Sequence, residues 1–173
     1  MSTPMDANAI VILLVEDDAG DELITREAFE HNKIKNNLYV AHDGEEGLDF
    51  LYRRGIFADA PTPDLILLDL NLPKYDGRQV LEQIKSDPEL RHIPVVVLTT
   101  FGPDTDVFQA RAAGATGFLL KDTPPAELQQ AVRLAAAGDS MLSPTVTRRV
   151  IERFTTEDRT RHRRAALSRL DGL

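Results

Sequence analysis

The sequence predicts an α/β domain built on a doubly wound, five-stranded parallel sheet. Five short runs rich in Val, Ile and Leu recur along the chain, and segments with helical spacing separate them. Three of these runs are apolar throughout, which is typical of strands that helices cover on both faces. Alternating strands and helices of this length favour right-handed crossovers within one sheet. The five predicted strands are residues 10–15, 38–41, 64–68, 94–98 and 117–120.

Apolar residues at helical spacing follow the first and third strands. Because such residues fall on one side of a helix, we expect both segments to pack on the sheet. A loop is predicted at residues 58–63. The two predicted apolar stripes are Leu23, Ile24, Ala28 and Phe29, and Val80, Leu81 and Ile84.

The fifth and last helix of the sheet domain is predicted to begin shortly after residue 121. Asp122 or Thr123 would cap it, and two prolines follow at positions that suit the start of a helix. Gly138 would end it. Its apolar stripe consists of Leu128, Ala131, Val132 and Ala135.

The chain beyond this helix is predicted to be an appendage to the sheet domain. We expect a disordered N-terminus over residues 1–8, one domain over 9–138, and a linker helix with a basic tail over 139–173. No DNA-binding domain is predicted in that last segment. The linker helix follows Pro144, and its apolar residues are Val146, Val150, Ile151 and Phe154.

The composition excludes several classes of protein. The 173 residues include no Cys, so disulfides, zinc-thiolate sites and thiol nucleophiles are excluded, and a reducing compartment is favoured. No apolar run approaches the roughly 18 residues of a membrane helix, and residues 1–8 lack the features of a signal peptide. We therefore expect a soluble, cytoplasmic protein with no membrane partner.

The charge of −8 is unevenly distributed. From Thr145 onward there are eight Arg and four acidic residues, a net charge of +4, which leaves −12 for residues 1–144. Such a basic tail could bind nucleic acid or an acidic partner, or it could be a solvated helix or linker. The second interpretation is favoured.

Polar residues follow four of the five predicted strands. In open α/β sheets the ligand crevice lies outside the carboxyl ends of the strands, so these residues should converge. They are Glu16, Asp17 and Asp18 after the first strand, Asp69 after the third, Thr99 and Thr100 after the fourth, and Lys121 after the fifth.

The clustered carboxylates predict a divalent cation. Neighbouring carboxylates repel one another, and Mg²⁺, which prefers oxygen ligands and phosphate, resolves the conflict. Thr99 and Lys121 would then offer a hydroxyl and a cation to a phosphoryl group. No Walker or G-x-G-x-x-G sequence is present, so a bound nucleotide is disfavoured. The remaining candidate is a carboxylate, with Asp69 central, that itself accepts the phosphoryl group.

Four motifs together resemble the receiver domain of two-component response regulators, over about residues 9–138. This resemblance implies a flavodoxin-like sheet with strand order 2-1-3-4-5 and a signalling protein rather than an enzyme. The motifs are Val-Glu-Asp-Asp at 15–18, Leu-Leu-Asp-Leu-Asn-Leu-Pro at 67–73, Leu-Thr-Thr at 98–100 and Gly-Phe-Leu-Leu-Lys at 117–121.

The resemblance also implies a role for each matching residue. A sensor histidine kinase would phosphorylate Asp69, Thr99 would bind the phosphoryl oxygen, and Lys121 would pair with the phosphoryl group. Phosphorylation would then change the conformation and promote homodimerisation through the last helices of the domain. The implied Mg²⁺ ligands are Glu16, Asp17, Asp69 and the backbone carbonyl of Asn71; Asp18 does not match a ligand position.

Two positions depart from the family pattern. Phe118 matches the switch aromatic but has no hydroxyl, and it is equally well interpreted as a plain core residue. Asp122 stands where many receivers have proline, so the loop that enters the last helix should differ.

The two halves resemble different branches of the family. Residues 9–100 are similar to single-domain regulators that serve bacterial phytochromes, whereas residues 101–155 are similar to NarL/LuxR-type regulators and their linker. We therefore expect a natural or engineered composite, or a truncation before a helix-turn-helix domain. DNA binding is expected only if that domain is restored.

Two alternative functions remain open. The first is a phosphatase or mutase of the aspartyl-phosphate type. Such enzymes have an Asp-x-Asp motif, whereas this chain has Asn71 in place of the second Asp. The second is an inert, receiver-like binding module. The acidic pair, Asp69, Thr99 and Lys121 argue against it.

Overall fold

A computed structural model describes residues 9–30, 35–72, 76–99, 113–121, 123–137, 141–142, 163–164 and 166–167. Strands and helices alternate through most of this part of the chain. The strands are β1 (Ile10–Val15), β2 (Asn36–Ala41), β3 (Leu65–Asp69), β4 (Val95–Thr99), β5 (Gly117–Leu120) and β6 (Met141–Leu142). The helices are α1 (Ala19–Glu30), α2 (Gly44–Tyr52), α3 (Gly77–Ser86) and α4 (Pro125–Ala136), with a short 3₁₀ helix at Gly55–Phe57.

The strands form one parallel sheet in the order β2-β1-β3-β4-β5-β6. The five predicted strands and their order 2-1-3-4-5 are therefore confirmed. β6 was not predicted, since a strand of two residues is too short to give a periodic pattern. It extends the sheet next to β5, where Gly117 pairs with Met141 and Phe118 pairs with Leu142.

The hydrophobic core lies on both faces of the sheet. Alternate side chains of each strand point to opposite faces, so Ile66 and Leu68 of β3 enter one cluster and Leu65 and Leu67 enter the other. Helices α2 and α3 cover the first cluster, and α1 and α4 cover the second. All five residues of β3 are buried, as expected for a central parallel strand.

The predicted apolar stripe of α1 is only half correct. Ala28 and Phe29 are buried, but Leu23 and Ile24 are 56% and 59% exposed. The N-terminal half of the helix therefore presents apolar side chains to solvent. In α3, Val80, Leu81 and Ile84 are all buried, as predicted.

Side chains cap the starts of α2 and α3. Asp43 accepts a hydrogen bond from the Glu46 amide at 2.7 Å at the start of α2. Asp76 and Gln79 form a reciprocal capping box at the start of α3.

The cap predicted for α4 is wrong at Thr123. The N-cap residue is Pro124, which makes no side-chain cap. The hydroxyl of Thr123 donates instead to the carbonyl of Leu120. Asp122 and Gly138 lie outside the described residues. The apolar stripe of α4 is buried, as predicted, at Leu128, Ala131, Val132 and Ala135.

Much of the predicted appendage lies outside the described residues, including residues 1–8 and the linker helix at 146–154. Residues 163, 164, 166 and 167 are helical and exposed. None of the helices in the described part of the chain has both the length and the apolar content needed to cross a membrane.

Candidate functional site

Three strands bring charged residues to the same edge of the sheet. Val15 pairs with Leu68, so Glu16, which follows β1, lies next to Asp69 at the end of β3. Lys121 follows β5 at the same edge. The parallel register therefore brings together residues that are more than 50 positions apart in the sequence.

Three carboxylates meet at this edge. One oxygen atom from each of Glu16, Asp17 and Asp69 lies within 4.8 Å of the others. Glu16 and Asp69 are buried, whereas Asp17 is exposed. Side chains this close can share one cation, and carboxylate oxygens are the ligands that Mg²⁺ and Ca²⁺ prefer.

The ammonium group of Lys121 lies among these carboxylates. Its Nζ is 2.8 Å from Glu16 Oε2 and 2.9 Å from Asp69 Oδ2. It also lies 2.7 Å from Oδ2 of Asp21, which belongs to the first turn of α1. A single lysine thus links the ends of β1 and β3 to α1.

The charges at the site are strongly coupled. Burial raises the pKa of Glu16 from an ordinary value of 4.5 to about 7, although the hydrogen bond from Lys121 opposes this change. Burial lowers the pKa of Lys121, but its hydrogen bonds to Asp21, Glu16 and Asp69 outweigh that effect and raise the pKa overall. One ammonium group therefore does not fully stabilise the ionised carboxylates, and a further cation would do so.

Two backbone amides fix the orientation of the buried carboxylates. The amide of Asn71 donates to Asp69 Oδ1 at 3.0 Å, and the amide of Asp18 donates to Glu16 Oε1 at 3.1 Å. Each carboxylate thus has one oxygen bonded to the loop that follows its own strand. Lys121 holds Oδ2 of Asp69 and both oxygens of Glu16.

Most of the predicted site residues are brought together. Glu16, Asp17, Asp69 and Lys121 converge, and Asn71 contacts Asp69 through its backbone. Thr99 ends β4, where it pairs with Leu120. The side chain of Thr99 and all of Thr100 lie outside the described residues.

Phe118 is buried in the cluster that α2 and α3 cover. This position supports the interpretation of Phe118 as a core residue. Its role as a switch stays a prediction.

Two acidic residues at the start of α1 have roles that were not predicted: Asp18 just before the helix and Asp21 in its first turn. Asp18 caps the start of α1, because its Oδ1 accepts a hydrogen bond from the amide of Asp21 at 2.8 Å. Asp21 pairs with Lys121. Asp21 could have been predicted from its position. It is an acidic residue in the first turn of the helix that directly follows β1, a strand that ends at the site.

Comparison with known proteins agrees with this geometry. Residues 12–133 match the family model described as the response regulator receiver domain. Response regulator Rcp1 of Synechocystis is 39% identical over 137 residues, which are 79% of this chain and 91% of that protein. The nitrate/nitrite response regulator NarL of Escherichia coli K12 is 37% identical over 62% of this chain and 45% of NarL.

Solved structures give the same result. The Mn²⁺-bound form of Rcp1 and the phosphorylated cyanobacterial phytochrome response regulator RcpA both superpose with a TM-score of 0.65. Each is 41% identical to this chain, and each alignment covers 72% of this chain and 89% of the other.

Proposed function

The chain belongs to the response regulator receiver domain family, and from this premise we propose that Asp69 accepts a phosphoryl group from a sensor histidine kinase. The observation that carries the proposal is the environment of Asp69. Its buried carboxylate lies 2.9 Å from Lys121 Nζ and within 4.8 Å of the carboxylates of Glu16 and Asp17.

The residues at the site fit a divalent metal ion. Glu16, Asp17 and Asp69 would provide carboxylate oxygens, with the carbonyl of Asn71 as a further ligand. The raised pKa of Glu16 supports this, since a second cation would stabilise its ionised form. Mg²⁺, when bound, would neutralise charge on the transferred phosphoryl group. The Mn²⁺-bound form of the related protein Rcp1 agrees with such a site.

The reaction is the transfer of a phosphoryl group from a histidine nitrogen to an oxygen of Asp69. The new bond joins the carboxylate oxygen to phosphorus, the phosphorus–nitrogen bond breaks, and the electron pair stays on the histidine nitrogen. The amide of Asn71 orients the Asp69 carboxylate during this step. The ammonium of Lys121 compensates the charge that the phosphoryl oxygens bring.

Phosphorylation then shifts the conformational equilibrium. The new phosphoryl oxygens would bind the hydroxyl of Thr99 and draw it inward, and Phe118 would follow into the space next to it. These movements would alter the surface that includes β5 and α4. Self-association through that face would bring together the linker and basic tail of two chains (residues 139–173) in the cytoplasm and so control an output.

We propose that helix α1 is part of the docking site for the kinase. Leu23 and Ile24 are exposed on α1, in the half of the helix that also holds Asp21 against Lys121. Exposed apolar side chains on a helix that contacts the site favour a protein partner over a small substrate. The similarity to the phytochrome response regulator RcpA favours a phytochrome-type kinase.

Phosphorylation by acetyl phosphate with Mg²⁺ tests the central proposal. On a phosphate-affinity gel we expect a shifted band that is absent in Asp69→Asn and present in Asp59→Asn, which removes an exposed carboxylate elsewhere. Mass spectrometry should place the phosphoryl group on residue 69. Continuous phosphate release from an added ester would instead indicate a phosphatase, and no modification would indicate an inert module.

Phosphotransfer from two kinases tests the choice of partner. A phytochrome-type kinase should phosphorylate the chain faster than a NarL-type kinase does. Replacing Leu23 and Ile24 by Ser should slow this transfer while leaving modification by acetyl phosphate unchanged. Equal loss with both donors would contradict a docking role for α1.

A further inference from the structure

Asp21 is the third carboxylate that holds Lys121, and it lies outside the set of residues that bind metal or phosphate in the function proposed above. It belongs to the first turn of α1, and its Oδ2 is 2.7 Å from Lys121 Nζ. This distance is shorter than the 2.9 Å between Lys121 and Asp69.

The three carboxylates occupy all the donors of the lysine. An ammonium group carries three protons and has no other way to donate a hydrogen bond. Glu16, Asp69 and Asp21 each accept from Lys121. A phosphoryl oxygen on Asp69 can therefore gain a hydrogen bond from Lys121 only if one of the present bonds is lost.

Of the two partners that remain carboxylates after phosphorylation, Asp21 is released at a lower cost than Glu16. Its side chain is 29% exposed, whereas the side chains of Glu16 and Asp69 are 2% and 4% exposed. A carboxylate that reaches water recovers hydrogen bonds from solvent when it loses the lysine, and a buried carboxylate does not.

We propose that Asp21 is a positioning residue that holds Lys121 in the unphosphorylated protein and competes with the phosphoryl group for this lysine. The inference rests on the proposed function, because it requires a phosphoryl group at Asp69. When the phosphoryl group is present, Lys121 leaves Asp21 and turns to the phosphoryl oxygens. The Asp21 carboxylate disfavours this state in two ways, since it retains the lysine and repels the added negative charge.

The binding of beryllofluoride, an analogue of the phosphoryl group, tests the competition at equilibrium. We would titrate the full chain with beryllofluoride at saturating Mg²⁺ and follow the bound fluorines by ¹⁹F NMR. Asp21→Asn removes the charge and preserves the shape of the side chain. We expect it to lower the Kd of beryllofluoride by about three- to tenfold, the effect of one nearby charge.

A charge-matched variant on the same helix serves as control. Glu27 is exposed on α1, and Glu27→Gln should leave the Kd of beryllofluoride within about twofold of the wild-type value. If Asp21 only stabilised α1, its loss would lower the melting temperature and leave binding unchanged or weaker. Tighter binding therefore separates competition for the lysine from a structural role.

The outcomes are distinct. An unchanged or higher Kd in Asp21→Asn, with wild-type binding intact, overturns the inference and leaves the proposed function standing. An equal decrease in Glu27→Gln also overturns it, since the effect would then be one of net charge. If the wild-type chain binds no beryllofluoride, the proposed function and this inference both fail.

Discussion

Gly77, the first residue of α3, lies directly against the backbone at Asp69. A Cβ atom on Gly77 would come within 2.2 Å of the Asp69 carbonyl oxygen and 2.5 Å of the Leu70 Cα. The Gly77 amide also donates to the Leu70 carbonyl at 3.1 Å. The start of α3 is thus packed on the strand end that carries the proposed phosphoacceptor, and only glycine allows this approach.

Gly77→Ala should therefore lower the free energy of unfolding by roughly 2–3 kcal/mol, since backbone atoms would have to move to admit the methyl group. Urea denaturation measures this change. Gly20→Ala is the control, because its added Cβ would meet a side-chain oxygen of Asp18 at 3.1 Å and no backbone atom. That variant should change stability by less than about 1 kcal/mol. Equal stability of the two variants would contradict the close packing at Gly77.

Glu16 should make the metal-free protein less stable as the pH rises. Its pKa is about 7 in the folded protein and 4.5 ordinarily, so the folded state binds more protons between these two values. Stability should then fall as the pH increases from about 5 to about 7. Urea denaturation in EDTA should show this slope in the wild type and a flatter one in Glu16→Gln. Added Mg²⁺ should reduce the slope, and an identical slope in Glu16→Gln would assign it to another group.

Replacing Lys121 should make stability depend on Mg²⁺. Lys121→Met leaves the buried carboxylates of Glu16 and Asp69 without their ammonium partner, and we expect a loss of about 3 kcal/mol in EDTA. Mg²⁺ should recover part of that loss, because it would neutralise the same carboxylates. The melting temperature with and without Mg²⁺ measures both effects.

Lys85→Met is a matched control for this prediction. Lys85 is also partly buried, but it donates to the carbonyls of Arg91 and Ile93 rather than to the carboxylates of the site. Replacing Lys85 should lower the melting temperature by the same amount in EDTA and in Mg²⁺. Recovery of the Lys85 variant by Mg²⁺ would show that the ion stabilises the protein elsewhere.

The hydroxyl of Tyr52 should stabilise the protein more while Asp87 is ionised. The Tyr52 hydroxyl donates to Asp87 Oδ2 at 2.7 Å, and this bond lowers the pKa of Asp87 below its ordinary value of 3.8. The contribution is present above that value and is lost as the pH falls through the lowered pKa. Tyr52→Phe should therefore lower the urea midpoint at neutral pH and lower it less in strong acid.

A double-mutant cycle isolates this pair. In an Asp87→Asn background, Tyr52→Phe should lower the midpoint less than it does in the wild type. Additive effects of the two substitutions would contradict a direct coupling between the two side chains.

The sheet and its site edge were predictable because they depend on strong local patterns. The strand β3 has four apolar residues and ends in Asp69. This pattern predicts a buried position in a parallel sheet, with Asp69 at its edge. Residues that end parallel strands then meet by topology alone. That is why Glu16, Asp69 and Lys121 could be grouped before their distances were known.

The parts that were not predicted depend on tertiary contacts. Leu23 and Ile24 fit the helical spacing of the apolar stripe, yet α1 packs on the sheet only through its C-terminal half. No local sequence pattern shows where along a helix its contact with the sheet ends. Asp21 pairs with a lysine 100 positions away. Thr123 favoured a cap by residue type, but its hydroxyl bonds the carbonyl of Leu120 at the end of β5, so Pro124 begins the helix without a side-chain cap.

The two-residue strand β6 holds residues 141 and 142, which follow α4, at the edge of the sheet. Met141 and Leu142 are tied to β5 in register with Gly117 and Phe118, so the backbone beyond them starts beside the strand that leads to Lys121. Because β6 is hydrogen-bonded directly to β5, a displacement of β5 would also displace Met141 and Leu142. The position of the backbone at residues 141 and 142 is thereby coupled to that of β5 through one pair of neighbouring strands.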